Sequence, residues 1–482
     1  MNRRALLQSM IAAAGAAALP GRAFAQAAQP WSLGFANAPA AGVAPEPMDL
    51  IHGRAPAGLE GVLFRNGPGW FRHADGSGPS HWFDGDGLIR RFAIADGSAT
   101  LSARFVETQK RRLEMAAGRA LMPGFGTAGH PSAAIDSPDD TNAANTAILP
   151  VNGQIWALWE AGSPVAVDPQ TLETSGLQTL RPDLAAMPFL AHPKVEPSGR
   201  IWNIGVSGAR AIVWRLAPDG TLEDAQLIRL PRADYIHDWA MTERHLLLLL
   251  QPWTMTGQTP PFINTLRWDA SAPFLVVAIP KDDLTQQRVF EVPAMAFFHT
   301  GDAYEEADGT IRVDFCPSPD PTWAMTAAHD LLRGVHNPAP QGPRLVQLAL
   351  RPSGAVDVIE TGVQGEFPQT DKRHQGQRRA LTVLASDAVD GRPLESAITL
   401  WDWEQGRGDR YSFGADQMVE ETLMVPYGPD ERDCWLIGPT LNLAAQATEL
   451  HVLDARRLSD GPVASWRARR SLPLGFHGAW MG

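Results

Sequence analysis

A chain of 482 residues, 44% hydrophobic and 20% charged with 16 tryptophans, carries enough apolar surface to bury a large core, which excludes a disordered polymer. Its 44 glycines and 40 prolines interrupt it too often for a helical bundle and favour short strands joined by turns. A formal charge of −12, with no basic run after the first residues, excludes nucleic acid as a partner, because phosphate contacts need clustered Lys and Arg.

The chain opens with a cationic start containing Arg3 and Arg4, an apolar stretch over 10–19, and Ala23-Phe24-Ala25, a small-x-small cleavage site. This pattern predicts a signal peptide over 1–25, and the paired arginines resemble a twin-arginine signal, which exports folded proteins to a bacterial periplasm. Losing Arg3, Arg4 and Arg22 with it takes the charge from −12 to −15. An uncleaved N-terminal anchor is the alternative; no later stretch is long and apolar enough to span a bilayer.

Past Gln26 no linker or low-complexity tract occurs, so 26–482 is expected to be a single domain. Short apolar runs rich in β-branched and aromatic residues predict strands at 61–64, 88–95, 154–159, 200–206, 212–216, 245–251, 274–279, 311–315, 345–350, 397–403, 434–437 and 449–453. Asp-Gly and Asn-Gly pairs between them, such as Asp96-Gly97 and Asn152-Gly153, predict hairpins. So many antiparallel strands need their edges managed, and a β-propeller does this by radial repetition. A pair of sandwiches is the alternative, since no clean repeat of the WD or kelch type is visible. Cys316 and Cys434 are too few and too distant for a disulfide framework or a thiolate metal site, and read as small buried hydrophobes or, in an exported protein, one bridge.

Among 13 histidines, four occupy distinctive settings at strand or turn boundaries: Ala191-His192-Pro193-Lys194, Ile236-His237-Asp238-Trp239, Phe298-His299-Thr300-Gly301 and Gly475-Phe476-His477-Gly478. Their separations of 45, 62 and 178 residues fit no local metal motif and point to a site assembled around an axis. Asp84-Gly85-Asp86-Gly87 lacks the twelfth-position glutamate of a calcium loop and reads as a structural turn.

With Phe64-Arg65-Asn66-Gly67-Pro68, His81-Trp82-Phe83-Asp84-Gly85-Asp86-Gly87, Ala157-Leu158-Trp159-Glu160, Gly365-Glu366-Phe367-Pro368 and the four histidine segments in order, nearly all of the mature chain resembles the carotenoid cleavage oxygenase family. That family includes apocarotenoid oxygenases, lignostilbene dioxygenases and the retinal pigment epithelium isomerase. The resemblance implies an all-β, seven-bladed propeller, with loops and short helices forming a dome over one axial Fe(2+) held by His192, His237, His299 and His477. It implies glutamates behind the ligands, with Glu160, Glu366 and Glu421 pairing with His237, His299 and His477. Glu420 is adjacent; Glu421 is preferred for its distance from the apolar run at 423–426. Such carboxylates orient the imidazoles and offset the metal charge.

The implied activity is cleavage of a carbon–carbon double bond by dioxygen, the co-substrate, into two carbonyl products. An apolar tunnel would hold the alkene, with Phe105, Phe125, Trp239 and Phe298 as substrate-binding candidates and Phe297 and Trp480 as further ones. Family members that cleave hydroxystilbenes hold the phenol with a tyrosine and a lysine from the stretch before the first glutamate. Here that stretch has no tyrosine, Lys110 is its only lysine, and Phe105 stands where the tyrosine is expected. A carotenoid or apocarotenoid is therefore the expected substrate, with a stilbene or phenylpropanoid alkene as the alternative. A lipid-resident polyene raises peripheral membrane contact, to which Leu121-Met122-Pro123-Gly124-Phe125-Gly126 contributes unless it is a buried loop; a monomer is expected. A propeller hydrolase would need carboxylate ligands on the axis, a non-catalytic propeller would not need all four histidines, and isomerisation would use the same ligands as cleavage.

Overall fold

The computed structural model describes residues 29–257, 259–338 and 341–482, and Trp31–Gly482 forms one compact unit. The expected signal peptide over 1–25 lies outside the described residues. Strand pairing resolves into seven antiparallel blades, each running outward from an inner strand near the axis.

Blade 2 is built from Ala147–Val151, Gln154–Leu158, Val165–Val167 and Thr174–Leu177, and blade 3 from Lys194–Val195, Ile201–Ser207, Arg210–Leu216 and Leu222–Arg229. Blade 4 comprises Ala240–Met241, His245–Leu250, Phe274–Pro280 and Arg288–Val292. Blade 5 comprises Ala296–Glu305, Ile311–Ser318, Arg344–Leu350 and the first half of Val356–Gln369. The second half of that strand is the inner strand of blade 6, followed by Leu381–Ala388, Glu395–Asp402 and Arg407–Ser412.

The ring closes with strands from both ends of the chain. Blade 1 joins Gly61–Arg65, Leu88–Ala95, Ser98–Phe105 and Val43–Pro47, and its inner edge is completed by the C-terminal Gly478–Met481. Blade 7 holds Gln417–Val419, Leu423–Pro426, Cys434–Asn442, Ala447–Asp454 and Pro462–Arg467, and its outer edge is the N-terminal Asp49–Gly53. Both edges that a linear chain would leave open are thereby paired.

Apolar residues alternate along the middle strands and meet between neighbouring blades. Leu246, Leu248 and Leu250 pack toward blade 3 with Ile204 and Val213, while Leu247 and Leu249 pack toward blade 5 with Val313 and Phe315. Asp96-Gly97 and Asn152-Gly153 form their hairpin turns with positive φ at both positions (48° and 74°, 46° and 76°). Long connections cover one end of the axis: the 66–87 segment, a helix Gln109–Ala117, the hairpin Trp253–Met255/Leu266–Trp268, and a π-helical turn Trp323–Ala327. His81 ties two of these together, its Nε2 donating to the carbonyl of Ala324 (2.9 Å) while its Nδ1 accepts from Phe83 N–H. Cys316 and Cys434 are buried and unpaired. Among the described residues no helix is long and apolar enough to cross a membrane.

Candidate metal centre

Each blade contributes one residue to a cluster on the axis. His477, Glu160, His192, His237, His299, Glu366 and Glu421 come from blades 1 to 7 in that order, all on or beside inner strands or the ends of their neighbours. Two of them sit at irregularities that turn a side chain out of the sheet. The register slips by one residue between Phe297 and Thr300, which aims His299 at the axis, and again between Glu366 and Gln369. Phe367, inside the second bulge, adopts φ +56°, an unfavourable region for a bulky residue. Its N–H donates to Glu366 Oε2 and its ring stacks on His299, with centroids 5.0 Å apart.

One ligand nitrogen from each of His192, His237, His299 and His477 lies within 4.8 Å of the others. His237 Nε2 stands 3.1 Å from His192 Nε2 and 3.2 Å from His299 Nε2. The carboxylates fix what these atoms are. His299 Nδ1 donates to Glu366 Oε2 (2.6 Å), His477 Nδ1 to Glu421 Oε1 (2.9 Å), and His237 Nδ1 to Glu160 Oε1. Each of those rings therefore presents a bare Nε2 lone pair to the centre, and lone pairs about 3 Å apart repel unless a cation lies among them. The donor set fits a late first-row metal ion, for which neutral imidazole is the suited ligand.

Electrostatics agree for two of the rings. Burial, reinforced by the neighbouring histidines, puts the His192 pKa well below the ordinary value. Burial brings His477 down to about 4 in spite of Glu421. Burial also lowers His299, but Glu366 outweighs it and the net shift is upward. Burial pushes the Glu421 carboxyl up, yet Arg65 and His477 more than reverse this and hold it at about 2.

Below the ligands, Asp238 binds three ligand segments together. It accepts from Lys194 Nζ (2.7 Å), two residues past His192, and from Thr300 N–H (2.8 Å), next to His299, while following His237 itself. On the dome side the surroundings are aromatic. Phe298 lies 5.2 Å from the His237 ring, and Phe83, Phe125 and Trp323 continue from it at 5.5–6.1 Å, all four only partly buried. Tyr235, unremarked in the sequence, donates its hydroxyl to Glu160 (3.0 Å to each oxygen) and lies 5.7 Å from Phe125. Its spacing from His237 was the available signal, because residues two apart in an extended segment face the same way.

Not every expected residue faces the centre. Phe298 does, against the His237 ring, and Phe125 is joined to it through Phe83. Phe105 does not: it is 2% exposed in the core of blade 1, capped by the Arg111 guanidinium 3.6 Å above its ring. Trp239 is fully buried between blades 3 and 4, Phe297 lies between blades 4 and 5, and Trp480 packs against the core of blade 1. Lys110 is bound to Asp86 (2.6 Å) and Glu114 (2.8 Å). The 121–126 loop folds inward, with Met122 buried and Asp84 accepting from the N–H of Phe125 and Gly126. Glu420, the alternative to Glu421, meets Arg90 and not a histidine.

The profile of the retinal pigment epithelial membrane protein family matches residues 37–482. The chain belongs to this family. Among similar proteins, the apocarotenoid-15,15'-oxygenase of Synechocystis is 27% identical over 458 residues, 89% of this chain and 92% of the relative. The resveratrol cleavage oxygenase 1 of Aspergillus fumigatus is 26% identical, covering 89% of this chain and 91% of its own. A solved structure of Synechocystis apocarotenoid oxygenase, a variant with one glutamate changed to glutamine, superposes with TM-score 0.85 at 24% identity, covering 94% of this chain and 99% of the other. The family's seven-bladed propeller is the fold described above.

Proposed function

We propose that this family member is an iron(II)-dependent dioxygenase that cleaves one carbon–carbon double bond of a carotenoid or apocarotenoid. The observation that carries this is the convergence of four imidazoles, three backed by carboxylates, beneath partly exposed aromatic rings. Bound by His192, His237, His299 and His477, iron(II) would supply the electrons through which dioxygen adds across an alkene to give two carbonyls.

The chain's own residues then do three things. Glu160, Glu366 and Glu421 hold the rings by their Nδ1–H and offset charge that four neutral ligands leave uncompensated. Phe83, Phe125, Phe298 and Trp323 give an apolar polyene flat surfaces and keep water from the reacting bond. Phe367, stacked on His299, keeps that ring from rotating. No proton transfer is required, since an alkene and dioxygen contain all the atoms of two carbonyl products.

The burial of Phe105 and the pairing of Lys110 support the polyene over a hydroxystilbene, because neither the expected position nor the expected cation is free to meet a phenol. Action in a bacterial periplasm belongs to the proposal and is supported by the leader sequence alone. The test is a product assay with iron-loaded protein offered an apocarotenal, a full-length carotenoid and a hydroxystilbene, in air and under nitrogen. Oxygen-dependent aldehydes from a polyene are expected. Cleavage of the stilbene alone would overturn the substrate class, and no oxygen-dependent product from any of them would overturn the activity.

A further inference from the structure

Two motifs bear no metal ligand apart from His477, yet they meet at the seam where the ring closes. In Phe64-Arg65-Asn66-Gly67, Arg65 is wholly buried, with Nη1 on Glu421 Oε2 (2.5 Å) and Nη2 on the carbonyl of Phe476 (2.8 Å). Arg90, on the next strand of blade 1, grips Glu420 with both Nη atoms (2.8 and 2.5 Å), and Glu420 Oε2 lies 3.7 Å from Arg65. The result is a buried ladder, Arg90–Glu420–Arg65–Glu421, that runs from blade 1 into blade 7.

The segment bearing the fourth histidine is threaded through that ladder. Glu420 accepts from Gly475 N–H (3.0 Å), Glu421 from Gly478 N–H (3.0 Å), and Arg65 donates to the carbonyl between them. The glycines are needed for the fit. A β-carbon at Gly475 would stand 2.1 Å from Arg90 Nη2, and one at Gly478 would stand 2.1 Å from the carbonyl oxygen of Phe64. Removing one partner of a buried ion pair leaves an uncompensated charge, so the ladder holds only as a unit.

We propose that Arg65, supported by Arg90 and Glu420, is a positioning residue for His477, and that metal binding and closure of the propeller ring are thereby thermodynamically linked. The ladder sets the height and direction of His477, and a metal ion drawing on His477 in turn stabilises the strand Gly478–Met481 against Gly61–Arg65. The inference rests on the metal assignment above and adds to it that the fourth ligand is held by the ring's closure, whereas the other three are held within continuous blades.

Two measurements test it, both with cobalt(II) as the probe and neither reading activity. In the wild-type chain, hydrogen exchange with and without cobalt(II) should show metal-dependent protection at 61–66 and 475–481 as large as at 237–241. Protection confined to the segments of His192, His237 and His299 would overturn the linkage. By chelator competition, Arg65→Met should bind cobalt(II) about 10–100-fold more weakly, and Arg65→Lys should recover most of that loss. Arg379→Lys alters a comparably buried guanidinium held by Asp314 and should lower thermal stability without changing metal affinity. Folded Arg65 variants with wild-type affinity would overturn the positioning role. If Arg65→Met fails to fold, the exchange experiment and Arg65→Lys decide. A wild-type chain that binds no metal removes the proposed function as well, whereas a metal-binding chain indifferent to Arg65 removes only this inference.

Discussion

The two sides of the histidine cluster solve the same problem differently. At His477 the supporting carboxylate, Glu421, is sealed from solvent and accepts from a guanidinium, a side-chain amide and a backbone N–H besides the imidazole. At His237 the supporting carboxylate, Glu160, has a side chain 21% exposed and is met by one phenol besides the imidazole. His192, between them on the open side, is the one ligand whose ring no carboxylate meets among the described residues. Where the ring must close, charge is neutralised inside the protein. On the side where the proposed substrate would approach, the support is light and the walls are aromatic. The closed side should therefore govern stability and metal retention together, and the open side metal retention and turnover with little effect on the fold.

The largest expected effect comes from His477→Ala, which removes a ligand and the ring that Glu421 holds. Metal content measured after anaerobic reconstitution should fall to background and alkene cleavage with it; retained metal-dependent activity would remove His477 from the site. Next, Glu421→Gln and Glu160→Gln should separate the two sides. The first leaves the fully buried Arg65 with only the more distant Glu420 (3.7 Å), already claimed by Arg90, which costs about 3–5 kcal/mol in chemical denaturation. The second leaves no buried cation behind, so stability should change by less than about 1 kcal/mol while metal affinity falls about 10–100-fold. Equal destabilisation by the two would erase the distinction between the sides.

A smaller, pH-dependent effect belongs to the closing blade away from the metal. His451, central in blade 7, hydrogen-bonds Thr440 and Ser465, and burial lowers its pKa to about 4. The folded state thus resists a proton that the unfolded chain accepts near pH 6.5. Its neutral form contributes stability that is complete above about pH 6.5 and declines as pH falls toward 4, by an amount on the order of 3 kcal/mol. Urea denaturation of the metal-free protein between pH 7 and 4 should show this slope added to those of His192 and His477, which burial also lowers, and His451→Gln should make the total shallower.

How much of this was legible in sequence depended on which face of a strand carried the signal. Strands buried on both sides, such as Leu88–Ala95 and His245–Leu250, announced themselves as apolar runs. The outer strands Leu222–Arg229 and Arg407–Ser412 did not, because one face and one edge meet solvent and carry charge. Nor did the two-residue inner strands Lys194–Val195 and Ala240–Met241, too short for any period. The ligands were readable because each lies in a distinctive local motif. Phe105 was misplaced because motif position says nothing about parity: it continues the inward face of Leu101 and Ala103 and enters the core of blade 1. Arg65 and Arg90 were invisible as partners of Glu421 and Glu420 because contacts between residues more than 300 positions apart exist only once the ring is closed.

The smallest expected effect tests how light the support on the open side is. Tyr235 is the only side chain besides His237 that donates to Glu160 among the described residues, and its hydroxyl lies 3.3 Å from His237 Nδ1. Burial raises its pKa well above the usual phenol value, with Glu160 adding to the shift, so it remains a donor throughout the working pH range. Tyr235→Phe keeps the ring against Phe125 and Trp253 and deletes one neutral-donor hydrogen bond, a change of about 1 kcal/mol. Glu160 then has only His237 to answer to. Cobalt(II) affinity should fall by about 3–10-fold with thermal stability lowered by no more than about 2–4 °C, and the combined Tyr235→Phe/Glu160→Gln variant should lose no more than Glu160→Gln alone, because the hydroxyl acts through the carboxylate. Additive losses would instead give the hydroxyl a route to the metal site that bypasses Glu160, through His237 Nδ1 at 3.3 Å.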